Sequence, residues 1–329
     1  MLRKFFKITG IIVLLLIIIA TSFLLYVKKA LPNVGAAPII SINPDSAMIA
    51  RGAYLANHVT VCIDCHSHRD WSKFSGPIVA GSEGGGGERF DEQTGFPGTF
   101  FSPNITPTAL KNWTDGELFR AITTGVTKDN DALFPVMPYH EYSKLDSTDV
   151  ISIIAYIRSL NPIENNIPNR KINFPMNFIV NTIPEKAQPT HLSSISSKID
   201  YGKYLTTISG CELCHTKQEN GKQAGALYAG GWNFHLPDGS IVTSPNITPD
   251  KETGLGNWTE KDFITLFKER SAESGNIKSI KPGDYQTIMP WSMYGGMDTS
   301  DLKAIYSYLN NLKPVNNLVN IFTPPSIKN

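Results

Sequence analysis

The sequence predicts a mainly α-helical protein, with one membrane-spanning helix followed by two tandem copies of a domain of about 115 residues. Three observations carry this. A long apolar run lies near the N-terminus, a set of short segments recurs in fixed order, and each copy holds stretches of helical periodicity with cap residues at their starts. The apolar run, Ile8 to Val27, is twenty residues without a charge and matches the hydrocarbon thickness of a bilayer. A cleaved signal peptide is the alternative, but its apolar core is normally about 7–15 residues long, and Tyr26-Val27-Lys28-Lys29 makes a poor cleavage site. Arg3, Lys4, Lys7 and the amino terminus outweigh Lys28 and Lys29, so the N-terminus is expected in the cytoplasm of a bacterium. Residues 1–30 are then a single-pass anchor in the cytoplasmic membrane, with the rest of the chain in the periplasm.

Residues 31–46, with Pro32, Gly35, Pro38 and Pro44, read as an extended tether. Beyond them the chain repeats. Arg51-Gly-Ala-Tyr-Leu55 matches Tyr201-Gly-Lys-Tyr-Leu205, and Cys62-Ile-Asp-Cys-His66 matches Cys211-Glu-Leu-Cys-His215. Ser102-Pro-Asn-Ile-Thr-Pro107 recurs as Ser244-Pro-Asn-Ile-Thr-Pro249, Asn112-Trp-Thr114 as Asn257-Trp-Thr259, and Met137-Pro138 as Met289-Pro290. Offsets between 142 and 152 leave room only for small insertions. The expected division is domain 1 at 47–163, a Pro- and Asn-rich linker at 164–198, domain 2 at 199–316 and a tail at 317–329.

Each copy reads as mostly helical. A first helix, capped by Asp45 or Ser46, carries Met48, Ile49 and Leu55. A middle helix opens on the capping-box pattern Thr114-Asp-Gly-Glu117. The last starts near Asp146, buries Val150, Ile153, Ile154 and Ile157, and stops at Pro162. Its counterpart starts near Asp298, carries Leu302, Ile305 and Leu309, and stops at Pro314. The intervening Gly- and Pro-rich stretches suggest no run of strands, and Gly84 to Gly87 reads as a flexible loop without the flanks of a phosphate cradle.

Composition excludes several classes. Hydrophobic content of 41% and charged content of 18% belong to a folded protein, not a disordered or collagen-like one. The net charge of +1 argues against nucleic-acid binding. It also conceals an asymmetry: residues 1–30 hold five basic and no acidic groups, so the remainder has 25 basic against 29 acidic, a charge of −4.

All four cysteines fall in the two Cys-x-x-Cys-His segments, which leaves none for a disulfide framework. Two thiols one helical turn apart can each add to a vinyl group of haem, with the adjacent histidine as the proximal iron ligand, and this pentapeptide is the c-type haem attachment signal. Cys62, Cys65, Cys211 and Cys214 are therefore candidate covalent attachment points, with His66 and His215 as iron ligands, for two haem c groups. A redox-active pair would need a βαβ context, and a zinc ribbon would need its two knuckles about 15–20 residues apart, where Cys65 and Cys211 are separated by 146. Chance accounts less readily for two such motifs at equivalent places in a repeat.

The sixth ligand decides between electron transfer and chemistry at iron. Met137 follows His66 by 71 residues and Met289 follows His215 by 74, each ahead of a proline and an aromatic residue. A thioether ligand raises the haem potential. Packing is the alternative role for these methionines, and Met176, Met293, Met297, His58, His68 and His140 are competing ligands. Around the proximal histidines, the Gly76-Pro77-Ile78 segment is a candidate to supply a carbonyl for the ring N–H, with Pro77 at its centre. Trp113 and Trp258, with Asn104 and Asn246, are candidate donors to the haem carboxylates; a core Trp and a turn Asn are the plain alternatives.

These residues resemble class I cytochrome c domains. More closely, the chain is similar to the cytochrome c subunits of membrane-bound bacterial alcohol, gluconate and sugar dehydrogenases, through Ser244-Pro-Asn-Ile-Thr-Pro-Asp250 with Thr253-Gly-Leu-Gly-Asn-Trp258, through Leu133-Phe-Pro-Val-Met-Pro-Tyr139, and through Asn173-Phe-Pro175. The resemblance covers roughly residues 48–316 and implies two tandem class I cytochrome c domains carrying electrons from a dehydrogenase towards a quinone or a terminal oxidase. The family pattern carries three haems; this chain has two motifs. The expected function is a membrane-anchored dihaem electron carrier between donor and acceptor proteins. A dihaem enzyme of the peroxidase or thiosulfate-oxidising type and a fixed haem subunit of an oxidase are the alternatives.

Overall fold

The computed structural model describes residues 2–219, 221–281 and 283–325. The chain is mainly helical. Helix α1 (Leu2–Ala30) is the one helix among the described residues long and apolar enough to cross a membrane. Its side chains are exposed almost throughout, with Val27 the buried exception.

The first half opens on α2 (Ser46–Tyr54), whose Asp45 carboxylate accepts the Met48 N–H at 2.7 Å. A π-helical turn, Leu55–Val59, leads into α3 (Cys62–Cys65). Strands β1 (Arg89–Phe90) and β2 (Gly98–Phe101) precede α4 (Pro107–Leu110), α5 (Asp115–Thr124), α6 (Tyr139–Tyr142) and α7 (Ser147–Ser159). Helix α5 has the predicted capping box: Thr114 Oγ1 accepts the Glu117 N–H at 3.2 Å, and the Glu117 carboxylate accepts the Thr114 N–H at 2.8 Å. Strand β3 (Lys171–Ile172) and α8 (Met176–Ile179) follow.

The second half repeats this order. It runs through α9 (Lys198–Ile208), α10 (Cys211–Cys214), a small hairpin of β4 (Gln218–Glu219) and β5 (Lys222–Gln223), β6 (Asn233–His235) and β7 (Ile241–Thr243). It ends in α11 (Glu260–Glu269), α12 (Trp291–Tyr294), α13 (Thr299–Asn310) and β8 (Phe322–Thr323).

The short strands were not expected from the sequence. They pair antiparallel in the orders β1-β2-β3 and β6-β7-β8. Two to four residues are too few for an alternating pattern to show. Each third strand also lies beyond an expected domain edge: β3 falls in the linker and β8 in the tail. The structural repeat therefore extends past residues 163 and 316. Residues 326–329 of the tail lie outside the described residues.

Within each half the first and last helices cross at a glycine. A Cβ on Gly52 of α2 would collide with the Ser152 carbonyl of α7, and one on Gly202 of α9 with the Ala304 carbonyl of α13. The two halves do not stand apart. Their buried side chains, including Leu55, Ile153 and Ile154 of one half and Leu205, Leu302 and Ile305 of the other, form one continuous apolar cluster. Such residues contribute about 1.5–3 kcal/mol each when fully buried.

The interface is reciprocal. Helix α6 packs on α9, and α12 packs on the turn that continues α2. Tyr54 donates to Asp301 at 2.7 Å and accepts the Asp298 N–H at 3.0 Å. Tyr204, its equivalent, donates to Asp149 at 2.8 Å and accepts the Asp146 N–H at 3.1 Å. A contact used twice in this way is the mark of two-fold pseudosymmetry between the halves.

Candidate functional site

Each half encloses a cavity that brings its Cys-x-x-Cys-His segment to its Met-Pro loop. The second cavity, about 350 Å³, is lined by Cys211, Cys214, His215 and Met289, with Trp258 and Met297 on its walls. The first, about 130 Å³, is lined by Cys62, Cys65, His66 and Met137 and narrowed by Phe90, Phe100 and Phe134. Phe100 and Phe134 stack at 4.7 Å. Of the competing methionines, Met297 alone reaches a cavity wall while Met293 stays buried in the core. None of the competing histidines lines either cavity; His58 points its Nδ1 at the Met293 carbonyl, 3.0 Å away.

The two histidines are oriented alike. His66 Nδ1 is 2.7 Å from the Pro103 carbonyl, and His215 Nδ1 is 2.8 Å from the Pro245 carbonyl. With Nδ1–H donated to a carbonyl, the Nε2 lone pair is left available as a metal ligand. Burial lowers both imidazole pKa values, which favours the neutral, ligating form. Burial also pushes the Cys65, Cys211 and Cys214 thiols up to about 12, so in this environment they are neutral thiols at pH 7. The four cysteines are free of disulfides.

The carbonyl acceptor corrects one expectation. Pro77 does not serve His66; its carbonyl accepts the Asp70 N–H at 2.9 Å. Pro103 and Pro245 take the role, from within the doubled Ser-Pro-Asn-Ile-Thr-Pro segment. That recurrence was visible in the sequence, but which of its atoms faces a histidine some 30–37 residues away was not.

The rest of the segment explains its conservation within the repeat. Asn104 Oδ1 accepts the Thr106 N–H at 2.8 Å, while its amide donates to the Ile163 carbonyl at 2.7 Å. Asn246 does the same with Thr248 at 2.9 Å and the Val315 carbonyl at 2.7 Å. Both asparagines hold turns with their amides donated to main-chain carbonyls; Asn104 lies outside the lining of the first cavity, whereas Asn246 is part of the wall of the second. Trp113 packs against the core outside the lining of the first cavity, whereas Trp258 lines the second.

The glycine run is not a flexible loop. Gly84 to Gly86 are buried, and the Gly86 N–H donates to the His66 carbonyl at 2.8 Å. At φ +71°, a Cβ there would strike Pro103 and Asn104; Gly230, also at φ +71°, repeats the arrangement against Ser244 and Pro245.

Sequence reasoning also missed Arg170, in the expected linker. It lines the first cavity and donates to the Ala132 carbonyl at 2.6 Å. Burial lowers its pKa, and among the described residues no carboxylate forms an ion pair with it. A guanidinium at a cavity wall with no carboxylate partner suits an anionic group within.

Comparison with known proteins bears on what such cavities hold. No family model matches the chain. It is 29% identical over 287 residues to the cytochrome c subunit of alcohol dehydrogenase (quinone) of Gluconacetobacter polyoxogenes, covering 82% of this chain and 57% of that protein. It is 24% identical over 301 residues to the gluconate 2-dehydrogenase cytochrome c subunit of Pantoea cypripedii, covering 85% and 63%. It is 26% identical over 315 residues to the fructose dehydrogenase cytochrome subunit of Gluconobacter japonicus, covering 89% and 59%.

Its relatives are cytochrome c subunits of dehydrogenases. They imply covalently bound haem, carried for electron transfer. The chain spans 57–63% of the length of these three relatives.

The residues present fit that group. Each cavity offers paired neutral thiols, an imidazole with its Nδ1 committed and its Nε2 free, and a thioether from a loop about 70 residues further on. The first adds an unpaired guanidinium.

Proposed function

We propose that the chain is a membrane-anchored dihaem cytochrome c that relays electrons from a dehydrogenase to a downstream acceptor such as a terminal oxidase. The observation that carries this reading is the convergence, twice over, of Cys-x-x-Cys-His and a Met-Pro loop on one cavity. Cys62, Cys65, Cys211 and Cys214 would hold the groups through thioethers, His66 and Met137 would ligate one iron, and His215 and Met289 the other. Bound haem supplies a one-electron Fe(III)/Fe(II) couple.

The protein's own residues supply everything around that couple. Pro103 and Pro245 fix the imidazoles by accepting Nδ1–H, and Arg170 offers positive charge to a haem carboxylate. Trp258 forms part of the second wall. Ligands from both sides leave no position for a substrate, which favours relay over peroxidase chemistry. Helix α1 would anchor the chain with both halves in the periplasm, in keeping with the basic flank at its start. The dehydrogenase partnership is drawn from the relatives' names.

The decisive experiment counts covalent haem by haemochrome spectroscopy on purified full-length protein. Two per chain are expected, falling to one in Cys62→Ala/Cys65→Ala and to one in Cys211→Ala/Cys214→Ala. A single haem in the unsubstituted chain overturns the dihaem reading.

A further inference from the structure

The loops that carry the two candidate methionines are held in different ways. Around Met137 the ties come from the same half: the Leu133 N–H donates to the Gly125 carbonyl at 2.7 Å, and Tyr139, buried beneath Gly125, donates to the Leu133 carbonyl at 3.3 Å. Around Met289 the loop's own bonds, Met289 N–H to Thr287 Oγ1 at 3.1 Å and Trp291 N–H to the Met289 carbonyl at 2.8 Å, are joined by ties from the other half that converge on one residue, Ser75. Ser75 Oγ donates to the Met289 carbonyl at 2.6 Å and accepts the Trp291 N–H at 3.0 Å. The Ser75 N–H donates to Gln286 Oε1 at 2.8 Å, and Gln286 Nε2 returns to the Lys73 carbonyl at 2.9 Å. Two main-chain bonds flank this hub: Phe74 N–H to Lys278 and Ile280 N–H to Ser72, both at 2.8 Å.

Ser75 is in turn fixed from the first Cys-x-x-Cys-His segment. Asp64, between Cys62 and Cys65, forms a buried ion pair with Arg69 at 3.1 Å. Arg69 spends its remaining donors on the Gly76 carbonyl through Nε and the Ser75 carbonyl through Nη2, both at 2.9 Å, and lies 4.1 Å over the Trp71 ring. Ser75 is 1% exposed and sits at φ +66°. A non-glycine residue persists in that region only where its surroundings over-determine it. The chain of contacts therefore runs from the first attachment segment, through Asp64, Arg69 and Ser75, to the backbone on both sides of Pro290. The same path is not repeated from the second half, because the equivalents of Asp64 and Arg69 are Leu213 and Gln218.

We propose that Ser75 is a positioning residue for the Met289 thioether, so that the first half helps set the ligation of the second centre by a path the second half does not repeat. The inference rests on reading Met289 as an iron ligand. Methionine has three rotatable bonds, so whether its sulfur stays on a metal depends on how firmly its backbone is held. Ser75 holds the carbonyl of Met289 and the N–H two residues on, from the other half of the molecule.

The test uses the full-length, haem-loaded protein. Ser75→Gly removes the hydroxyl and places at φ +66° the residue that takes that conformation most readily, so the backbone there is not strained by the change. The readouts are the far-red band of Met-ligated ferric haem and the midpoint potential of each centre, with Met289→Ala and Met137→Ala in parallel to assign each share. Ser75→Gly is expected to lose part or all of the share that Met289→Ala removes, or to move that centre's potential downwards, with the share that Met137→Ala removes unchanged. A Ser75→Gly protein with both bands and both potentials at their unsubstituted values overturns the proposal while leaving the ligand assignment standing. A Met289→Ala protein with the whole band intact overturns the ligand assignment and the proposal together.

Discussion

The two halves share a skeleton and differ in how they hold what lies inside it. Both cross their terminal helices at a glycine, both open α5 or α11 with a reciprocal cap, and both orient a histidine with a proline carbonyl. The first cavity is closed down by phenylalanines and carries a cation. The second is wider, without that cation, and its methionine loop leans on its neighbour. Duplication thus preserved the parts that set main-chain geometry, where close approach allows little change. The walls and loop supports diverged, since a cavity can be filled by different side chains and a loop can be tied from different sides.

That comparison is best attacked where the halves are claimed to be equal. Gly52→Ala and Gly202→Ala each force a methyl into a carbonyl of the crossing helix, so each should destabilise the fold by about 3 kcal/mol or more. Guanidinium unfolding of the detergent-solubilised protein checks this; one tolerated substitution would mean that the helix pairs are not equivalent.

The reciprocal tyrosines come next. Tyr54→Phe and Tyr204→Phe each remove a hydrogen bond to a buried carboxylate, at a cost of about 1.5–3 kcal/mol. The carboxylates themselves should differ. Asp149 keeps the bidentate Arg51 guanidinium at 2.9 and 3.0 Å. Asp301 has its pKa raised, chiefly by burial and against the Tyr54 hydrogen bond. A raised acid contributes stability below its unfolded value of about 3.9, and loses it as pH rises through the elevated folded value. Asp301→Asn should flatten that slope of stability against pH, while an unchanged slope would assign it to another group.

The smallest effect concerns the caps. Thr114→Ala and Thr259→Ala should each cost about 1 kcal/mol. Thr259 shares its cap with Asp262, which accepts the Thr259 N–H at 2.9 Å, so a clearly lower cost there would show that the shorter acid is the poorer partner. Thermal melts of the two variants decide it.

Much of this molecule was legible before its fold. The repeat, the helix starts at Asp45, Thr114, Asp146 and Asp298, and the residues converging on each cavity are written in local signals: cap chemistry, apolar period, and two rare motifs at matching positions. Such signals survive in sequence because they act over a few residues. What required the tertiary structure was everything decided by contacts between distant segments. Pro103 rather than Pro77 faces His66, β3 and β8 carry each repeat past its expected edge, and the expected flexible loop of glycines is buried. The halves share one core, and Ser75 reaches across 214 positions to Met289. A carbonyl or hydroxyl has no identity in the sequence that marks its partner, and only packing brings the two together.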